Sequence, residues 1–149
     1  MSVGEICSRE VVVVEKGVSV VVAAQLMRTH HVGDLVVVEE RDGRKVPVGI
    51  VTDRDIVVEV VAAGVNPEAL KVGDIMGPEI ATVRESEGLF EALRYMRDKG
   101  VRRMPVVDGA GGLVGILTLD DLLGLLAEEM TELAKLVSRE RQREAVARG

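Results

Sequence analysis

The sequence contains an internal repeat, and this repeat restricts the folds that the chain can adopt. Gly49-Ile-Val-Thr-Asp-Arg-Asp55 returns as Gly115-Ile-Leu-Thr-Leu-Asp-Asp121, and Val3-Gly-Glu-Ile-Cys7 returns as Val72-Gly-Asp-Ile-Met76. The offset is 69 residues for the earlier match and 66 for the later one, so the first copy carries three extra residues. They fall between 39 and 45, around Asp42-Gly43, a pair typical of a hairpin turn. A length change confined to a turn indicates two copies of one structural unit.

Each copy predicts the same order of elements, namely strand, helix, strand, strand and helix, which is an α/β fold. In the first copy, β-branched and apolar runs predict strands over 11–14, 35–38 and 46–51. A helix beginning at Ser19 ends near His30-His31, and a second helix runs from Thr52 to Gly64. In the second copy the strands are expected at 80–83, 104–107 and 113–117. Its helices are expected over 86–99 and from Thr118 onward, with Asp108-Gly109 marking the hairpin turn.

The repeat also divides the chain into parts. We expect a first motif over residues 1–65, a second over 66–127, and a C-terminal helical tail over 128–149. Each motif has only about 60 residues, close to the lower limit for independent folding, so we expect the two to share a core. The polar tail is open to two interpretations, a solvated helix or a segment that binds a partner or braces a dimer.

Composition argues against several classes of function. The net charge of −6, with one Phe, one Tyr and no Trp, disfavours general binding to nucleic acid or to an anionic membrane. Cys7 is the only cysteine, so no internal disulfide can form, which fits a cytoplasmic protein. No apolar stretch has the length of a membrane span or a leader sequence. We expect no metal site, because His30 and His31 are adjacent and lack supporting ligands. No catalytic set of residues is apparent.

The repeated Thr-x-x-Asp at each strand-to-helix corner has two interpretations. Thr52 with Asp55, and Thr118 with Asp121, match the spacing of a capping box, in which both side chains stabilise the start of a helix. A carboxylate at such a corner is also suited to accept hydrogen bonds from two ribose hydroxyls, and the helix start presents N–H groups to an anion. The spacing leaves both open.

The ordered set of repeated pieces resembles the CBS motif, named after cystathionine beta-synthase, and two in tandem resemble a CBS pair or Bateman module. The pieces that carry the resemblance are Val72 to Met76, Ile80-Ala-Thr-Val83, Ala92 to Met96, Arg103-Met-Pro-Val-Val-Asp108 and Gly115 to Asp121. The resemblance implies that two motifs pack about a pseudo-twofold axis. It further implies clefts that bind adenosine-containing ligands, namely AMP, ADP, ATP or S-adenosylmethionine, together with a homodimer and a regulated partner protein. No cofactor is required.

Similarity to regulatory kinase gamma subunits implies that each cleft is built from both motifs. The first cleft then contains Gly49, Thr52, Arg54, Asp55, Ile80, Ala81, Val101, Arg102 and Arg103. The second contains Gly115, Thr118, Asp121, Val11, Val12, Val32 and Gly33, followed by Asp34. Three arginines in the first cleft suit phosphates. In the second, Leu119 is expected in place of Arg54, Gly33 in place of Arg102 and Asp34 in place of Arg103. We therefore predict a nucleotide in the first cleft, and no ligand or an uncharged one such as adenosine in the second. The alternative function is a dimerisation scaffold without a ligand.

Overall fold

The computed structural model describes residues 1–148, which form six helices, six strands and two short irregular turns of helix. The helices are α1 (Val3–Ile6), α2 (Val20–His30), α3 (Asp53–Ile56), α4 (Val72–Ile75), α5 (Leu89–Lys99) and α6 (Leu119–Arg148). The strands are β1 (Val13–Glu15), β2 (Asp34–Arg41), β3 (Arg44–Thr52), β4 (Val83–Arg84), β5 (Arg103–Val107) and β6 (Leu113–Thr118). A π-helical turn, Val57–Val61, continues α3, and a 3-10 turn, Pro67–Ala69, lies in the linker. The chain divides into two units, Met1–Leu117 and Thr118–Gly149.

The strands form two three-stranded sheets with the same topology, β1-β2-β3 and β4-β5-β6. In each sheet the first strand is parallel to the second. Parallel neighbours need a long crossover connection, and α2 and α5 provide it. The first hairpin turns at Asp42 and Gly43, which both have positive φ (52° and 75°), as a two-residue hairpin turn requires. This repeat confirms the predicted α/β class and the order of elements.

The second hairpin differs from the expected turn at Asp108-Gly109. Its residue with positive φ is Gly111 (88°), and the Asp108 carboxylate accepts hydrogen bonds from the N–H groups of Ala110 (2.9 Å) and Gly112 (3.0 Å). A longer turn held by its own aspartate therefore replaces the tight turn of the first motif.

Two strands are shorter than the sequence predicted. β1 begins at Val13 rather than at residue 11, and β4 contains only Val83 and Arg84 rather than 80–83. Only Val13–Glu15 pair with β2, and only Val83 and Arg84 pair with β5, so the residues before them run as irregular chain. The β-branched composition of these segments indicated strand, but pairing with a neighbour decides where a strand begins.

The helix starts follow their caps. Ser19 accepts a hydrogen bond from the Val22 N–H (3.2 Å) and begins α2 as predicted. In contrast, α5 begins at Leu89, three residues after the predicted start at residue 86, with Gly88 at the cap position. The Leu89 N–H donates to the Met1 carbonyl (3.1 Å), so the amino-terminal chain occupies the place of a side-chain cap.

The sequence analysis did not predict the short helices α1 and α4. Each of them precedes one motif in the chain but forms backbone hydrogen bonds with the other motif. In α1, the N–H groups of Val3 and Gly4 donate to the carbonyls of Glu87 and Glu85, in the second motif (both 2.9 Å). In α4, the N–H groups of Val72 and Gly73 donate to the carbonyls of Val18 (2.8 Å) and Lys16 (3.0 Å), in the first. All four donors and acceptors are related by the 69-residue offset. Each motif therefore receives the leading helix of the other.

The core reflects this exchange. One buried cluster contains residues of α2, β2 and β3 of the first motif together with Val72 and Ile75 of α4. On the other face of the first sheet, Val36 and Val38 pack with Ile116 of β6. The sheets therefore face each other through aliphatic side chains, and residues from both copies of the repeat contribute to these clusters.

The unit from residue 118 onward consists mainly of α6, a single helix of 30 residues. The predicted final helix is present and continues through the polar tail to Arg148. Within residues 1–148, no helix combines the length and apolar character needed to cross a membrane.

Candidate functional site

The first strand-to-helix corner is a complete capping box. The Asp55 N–H donates to Oγ1 of Thr52 (3.1 Å), and the Thr52 N–H donates to Oδ2 of Asp55 (2.9 Å). Both residues are partly buried at the junction of β3 and α3. One carboxylate oxygen of Asp55 is thus committed to the backbone, and Oδ1 receives no hydrogen bond from residues 1–148. The capping interpretation is confirmed here, and the geometry leaves one oxygen for a further donor.

The second corner has the same cap but a different carboxylate environment. The Asp121 N–H donates to Oγ1 of Thr118 (3.1 Å), as in the first corner. Asp121 is exposed, however, and within the described chain its carboxylate has no hydrogen-bonding or ionic partner. At the 66-residue offset Arg54 corresponds to Asp120 and not to Leu119, as the sequence analysis had it, so this corner has a second carboxylate. Identical spacing therefore produces an engaged carboxylate in one motif and an open one in the other.

An ion pair joins the two motifs beside the first corner. The Arg103 guanidinium of β5 donates a short hydrogen bond to the Asp34 carboxylate of β2, and both side chains are partly buried (34% and 22% exposed). Asp34 lies opposite Thr52 in the β2–β3 ladder, so the pair brings Arg103 next to the corner of Thr52 and Asp55. The two charged residues occupy equivalent repeat positions, 69 residues apart.

This ion pair changes the predicted charge difference between the clefts. Sequence reasoning assigned Arg103 to the first cleft, as a phosphate ligand, and Asp34 to the second. In the structure their charges compensate each other, so Arg103 is not a free cation. The signal was available in the sequence, since opposite charges at equivalent positions of a twofold repeat are well placed to meet at the axis.

Two other predicted arginines keep free guanidinium groups. Arg54, in the first turn of α3, and Arg102, just before β5, are exposed and form no ion pair with any described residue. Arg102 precedes the Arg103 that binds Asp34, so it lies near the same corner. Contact of Arg54 and Arg102 with a phosphate stays a prediction.

Asp53 is a residue at this corner that sequence reasoning missed. Its N–H donates to the Gly33 carbonyl (2.9 Å), and its carboxylate covers Gly33, where an added Cβ would lie 3.0 Å from Oδ2. The same carboxylate accepts from the Arg54 N–H (2.8 Å). Gly33, predicted as part of the second cleft, therefore packs under the corner of the first motif.

Gly49 and Gly115 are buried positions of close packing. A Cβ at Gly49 would lie 2.8 Å from Sδ of Met76, and one at Gly115 would lie 2.6 Å from the Ser8 carbonyl and 2.8 Å from Sγ of Cys7. Cys7 and Met76 are equivalent repeat positions that directly follow α1 and α4. The exchanged segments thus explain both glycines, and ligand contact by either one stays a prediction.

The remaining predicted site residues lie at the same end of the sheets as these corners. They are half-buried and precede the first or second strand of a sheet: Val11, Val12 and Val32 in the first motif, and Ile80, Ala81 and Val101 in the second. Because β1 is parallel to β2, and β4 to β5, the segments before them approach the starts of Asp34–Arg41 and Arg103–Val107. Their contact with an adenine ring stays a prediction.

A well-formed cavity lies elsewhere in the second motif. It has a volume of about 570 Å³ and is lined by Arg84, Glu87, Glu91, Tyr95 and Asp108, among others. Arg84 ends β4 and Asp108 directly follows β5, whereas Glu91 and Tyr95 lie on α5. The cavity is therefore at the carboxyl ends of these strands, opposite the predicted clefts, and the sequence analysis did not single out its residues as a site. Residues 1–148 contain no group of three His, Cys, Asp or Glu side chains arranged to hold a metal ion.

Comparison with known families agrees with the duplicated architecture. The model of the CBS domain matches twice, over residues 3–62 and 72–128. The chain belongs to the CBS domain family. The two matches coincide with the two motifs and their exchanged leading helices, so the resemblance noted in the sequence is confirmed.

The chain is similar to several relatives and solved structures. An uncharacterised protein of Methanopyrus kandleri is 42% identical over 123 residues, which are 83% of this chain but 61% of that protein's length. Hypoxic response protein 1 of Mycobacterium tuberculosis is 37% identical over 71% of each chain. A crystal structure of hypoxic response protein I, with two coordinated zinc ions, has a TM-score of 0.71 at 33% identity, covering 83% of this chain and 97% of that one.

Two further structures were solved with adenosine-containing ligands. A CBS domain pair in complex with 5′-methylthioadenosine and S-adenosyl-L-methionine has a TM-score of 0.72 at 26% identity, covering 87% of this chain and 98% of that one. The cytosolic domain of the Mg²⁺ channel MgtE in complex with ATP has a TM-score of 0.69 at 31% identity, covering 83% and 48%.

Proposed function

We propose that the CBS pair is a non-catalytic regulatory module that binds an adenine nucleotide (AMP, ADP or ATP) in its first cleft. The observation that carries the proposal is the corner where Thr52 and Asp55 lie beside Arg54 and Arg102, whose guanidinium groups have no ionic partner in the described chain. S-adenosylmethionine is a further candidate. The adenosine-containing ligands of two structural neighbours support the ligand class.

Each residue of the corner has a chemical role in the proposal. The Asp55 carboxylate keeps one oxygen for a ribose hydroxyl, while the other holds the Thr52 N–H. Arg54 and Arg102 bind phosphate oxygens through charge-assisted hydrogen bonds. Arg103 contributes only if its ion pair with Asp34 opens, so nucleotide binding competes with this link between the motifs. Aliphatic Ile80 and Val101 flank the adenine.

The regulatory mechanism follows from linkage. A ligand that contacts both motifs favours the arrangement in which its contacts are best, and that preference is passed to whatever binds the changed surface. We expect the chain to act as a homodimer in the cytoplasm and to regulate a separate protein. We expect the second cleft to stay empty or to take an uncharged ligand such as adenosine, because the carboxylates of Asp120 and Asp121 at its corner repel phosphate.

Calorimetric titration tests the proposal. AMP, ADP, ATP, S-adenosylmethionine and adenosine are titrated into the wild-type protein and into a variant with Arg54→Ala and Arg102→Ala. We expect saturable binding of at least one phosphate-bearing ligand, and a loss of about tenfold or more in affinity in the variant. The matched control is Arg84→Ala, which removes an arginine at the opposite end of the sheet.

Equal loss in the control, or full affinity in the double variant, would contradict the assignment of the first cleft. Adenosine provides a second comparison, because it lacks phosphates and its affinity should be unchanged by removal of the two arginines. Thermal unfolding supplies an independent measurement, since a ligand that binds only the folded state raises the midpoint.

The second candidate function is a dimerisation scaffold without a ligand. The capping box at Thr52 and Asp55 favours it, because the helix start explains both residues without a small molecule. Under this alternative none of the adenosine compounds raises the unfolding midpoint or produces heat on titration. The same two experiments therefore separate the candidates.

A further inference from the structure

Helix α6 carries an apolar stripe that no described residue covers. Its members follow alternating steps of three and four residues and are between 48% and 70% exposed: Leu123, Leu126, Met130, Leu133 and Val137. This spacing is that of the a and d positions of a coiled coil, which face a partner helix along one seam. The stripe is about 22 Å long, or four helical turns.

Charge is distributed unevenly along the same helix. Residues 119–134 contain five acidic side chains and no basic one, whereas residues 135–148 contain five basic and two acidic ones. In a parallel pair of α6 helices, acidic halves would lie side by side and so would basic halves. In an antiparallel pair with Leu126 opposite Val137 of the second copy, Glu128 lies near the partner's Lys135, and the acidic start of α6 lies along the partner's arginines at 141 and 143. Charge complementarity therefore selects one orientation.

Small residues beside the stripe suit a close approach of two such helices. Ala127 and Ala134 flank Leu126, Met130 and Leu133 on one side and are exposed. A small side chain next to the seam lets a second backbone come near, so that apolar side chains of both helices interlock. Polar side chains occupy the far face, including the exposed pair of Glu132 and Lys135 (3.2 Å).

We propose that α6 pairs antiparallel with α6 of a second copy of this chain along the stripe from Leu123 to Val137. The second copy is the partner because the stripe and the charge distribution are both self-complementary under a twofold axis perpendicular to the helix. The pairing is independent of any nucleotide and goes beyond the proposed function of the first cleft.

Sedimentation velocity across a range of concentrations tests the pairing. The variant Met130→Glu with Leu133→Glu places four carboxylates in the seam of a dimer, and we expect its dimer dissociation constant to rise at least tenfold. The control, Ser138→Glu with Gln142→Glu, adds the same charge away from the seam and should behave as wild type. An unchanged dissociation constant in the seam variant, with helicity retained by circular dichroism, overturns the proposal.

Disulfide trapping tests the orientation in a Cys7→Ser background. In an antiparallel pair, Leu126→Cys mixed with Val137→Cys, or Met130→Cys mixed with Leu133→Cys, gives a covalent dimer, because both pairs of a and d positions share a layer in the same register. Leu123→Cys alone gives none, since the two thiols lie many residues apart. Crosslinking of Leu123→Cys to itself would indicate parallel helices and overturn the proposal, as would the absence of crosslinks in both mixtures.

Discussion

The two strand-to-helix corners have the same spacing of threonine and aspartate but different structures. In the first, Asp55 returns a hydrogen bond to the Thr52 N–H and is partly buried. In the second, Asp121 is exposed, and no described group donates to its carboxylate. The threonine cap follows from the repeated sequence and is present in both corners. Whether the aspartate carboxylate accepts a hydrogen bond from the threonine N–H depends on its surroundings. Duplicated motifs therefore give two similar strand-to-helix corners whose aspartates have different hydrogen-bonding surroundings.

The largest expected difference between the motifs concerns their buried glycines. Gly115→Ala should lower the free energy of unfolding by about 2 to 3 kcal/mol, because its Cβ meets the Ser8 carbonyl, which is backbone. Gly49→Ala should cost about 1 kcal/mol, because the atom in its way is Sδ of the flexible Met76. Denaturant unfolding of both variants measures the difference.

The control for the glycine pair is Gly109→Ala, where nothing lies within 4 Å of the added Cβ and φ is not positive. We expect no measurable loss of stability there. Equal losses of stability for Gly49→Ala and Gly115→Ala would contradict this prediction, because they would show that the Ser8 backbone moves aside as easily as the Met76 side chain.

The ion pair on the axis is the next test. Asp34→Ala and Arg103→Ala should each lower the free energy of unfolding by about 1 to 2 kcal/mol, between the values for exposed and buried pairs, because both side chains are partly exposed. The double variant should lose less than the sum of the two, which a double-mutant cycle measures. Additive losses would mean that the pair contributes no coupling.

The same variants sharpen the comparison of clefts. Asp34→Ala releases Arg103, so it should raise the affinity for a phosphate-bearing nucleotide in calorimetry if that ligand occupies the first cleft. Adenosine binding should not change, which provides the internal control.

The caps give a smaller effect. Thr52→Ala and Thr118→Ala should each cost about 1 kcal/mol of stability, since each removes an acceptor for a helix N–H group. Asp55→Ala should cost a similar amount, while Asp121→Ala should be close to neutral, because only Asp55 closes a capping box. Thr52→Ser retains the hydroxyl and serves as the control. A loss at Asp121 equal to that at Asp55 would contradict the difference between the corners.

The smallest effect concerns the second hairpin. Hydrogen bonds from the N–H groups of Gly112 and Ala110 hold the pKa of Asp108 below its ordinary value of 3.8. Its contribution to stability is therefore present above about pH 4 and is lost as the pH falls through the lowered pKa. The stability difference between wild type and Asp108→Asn should shrink on acidification toward about pH 2.

Most of the fold followed from the sequence because its signals are local. The cap at Ser19, the turn at Asp42-Gly43 and the runs of β-branched residues each act within a few residues. The short helices α1 and α4 were missed, since four residues carry no helical periodicity and their partners lie about 55 to 85 residues away along the chain.

The candidate site was predicted less completely than the fold. The capping geometry of Thr52 and Asp55 was one of the two interpretations that the spacing allowed. Compensation of Arg103 by Asp34, and the covering of Gly33 by Asp53, depend on contacts between segments distant in sequence. Such contacts depend on how the two motifs are arranged about the twofold axis, and the spacing of residues within one motif cannot predict that arrangement.

The exchange of α1 and α4 means that neither motif is a self-sufficient folding unit. Val72 and Ile75 fill the interior of the first motif, while the backbone of Val3 and Gly4 is anchored on the second. If the chain were cut at the linker, each fragment would lack the leading helix that packs on it and would expose the apolar side chains of its own leading helix. Residues 1–117 should accordingly unfold in one cooperative transition, because unfolding of one motif removes the helix that packs on the other.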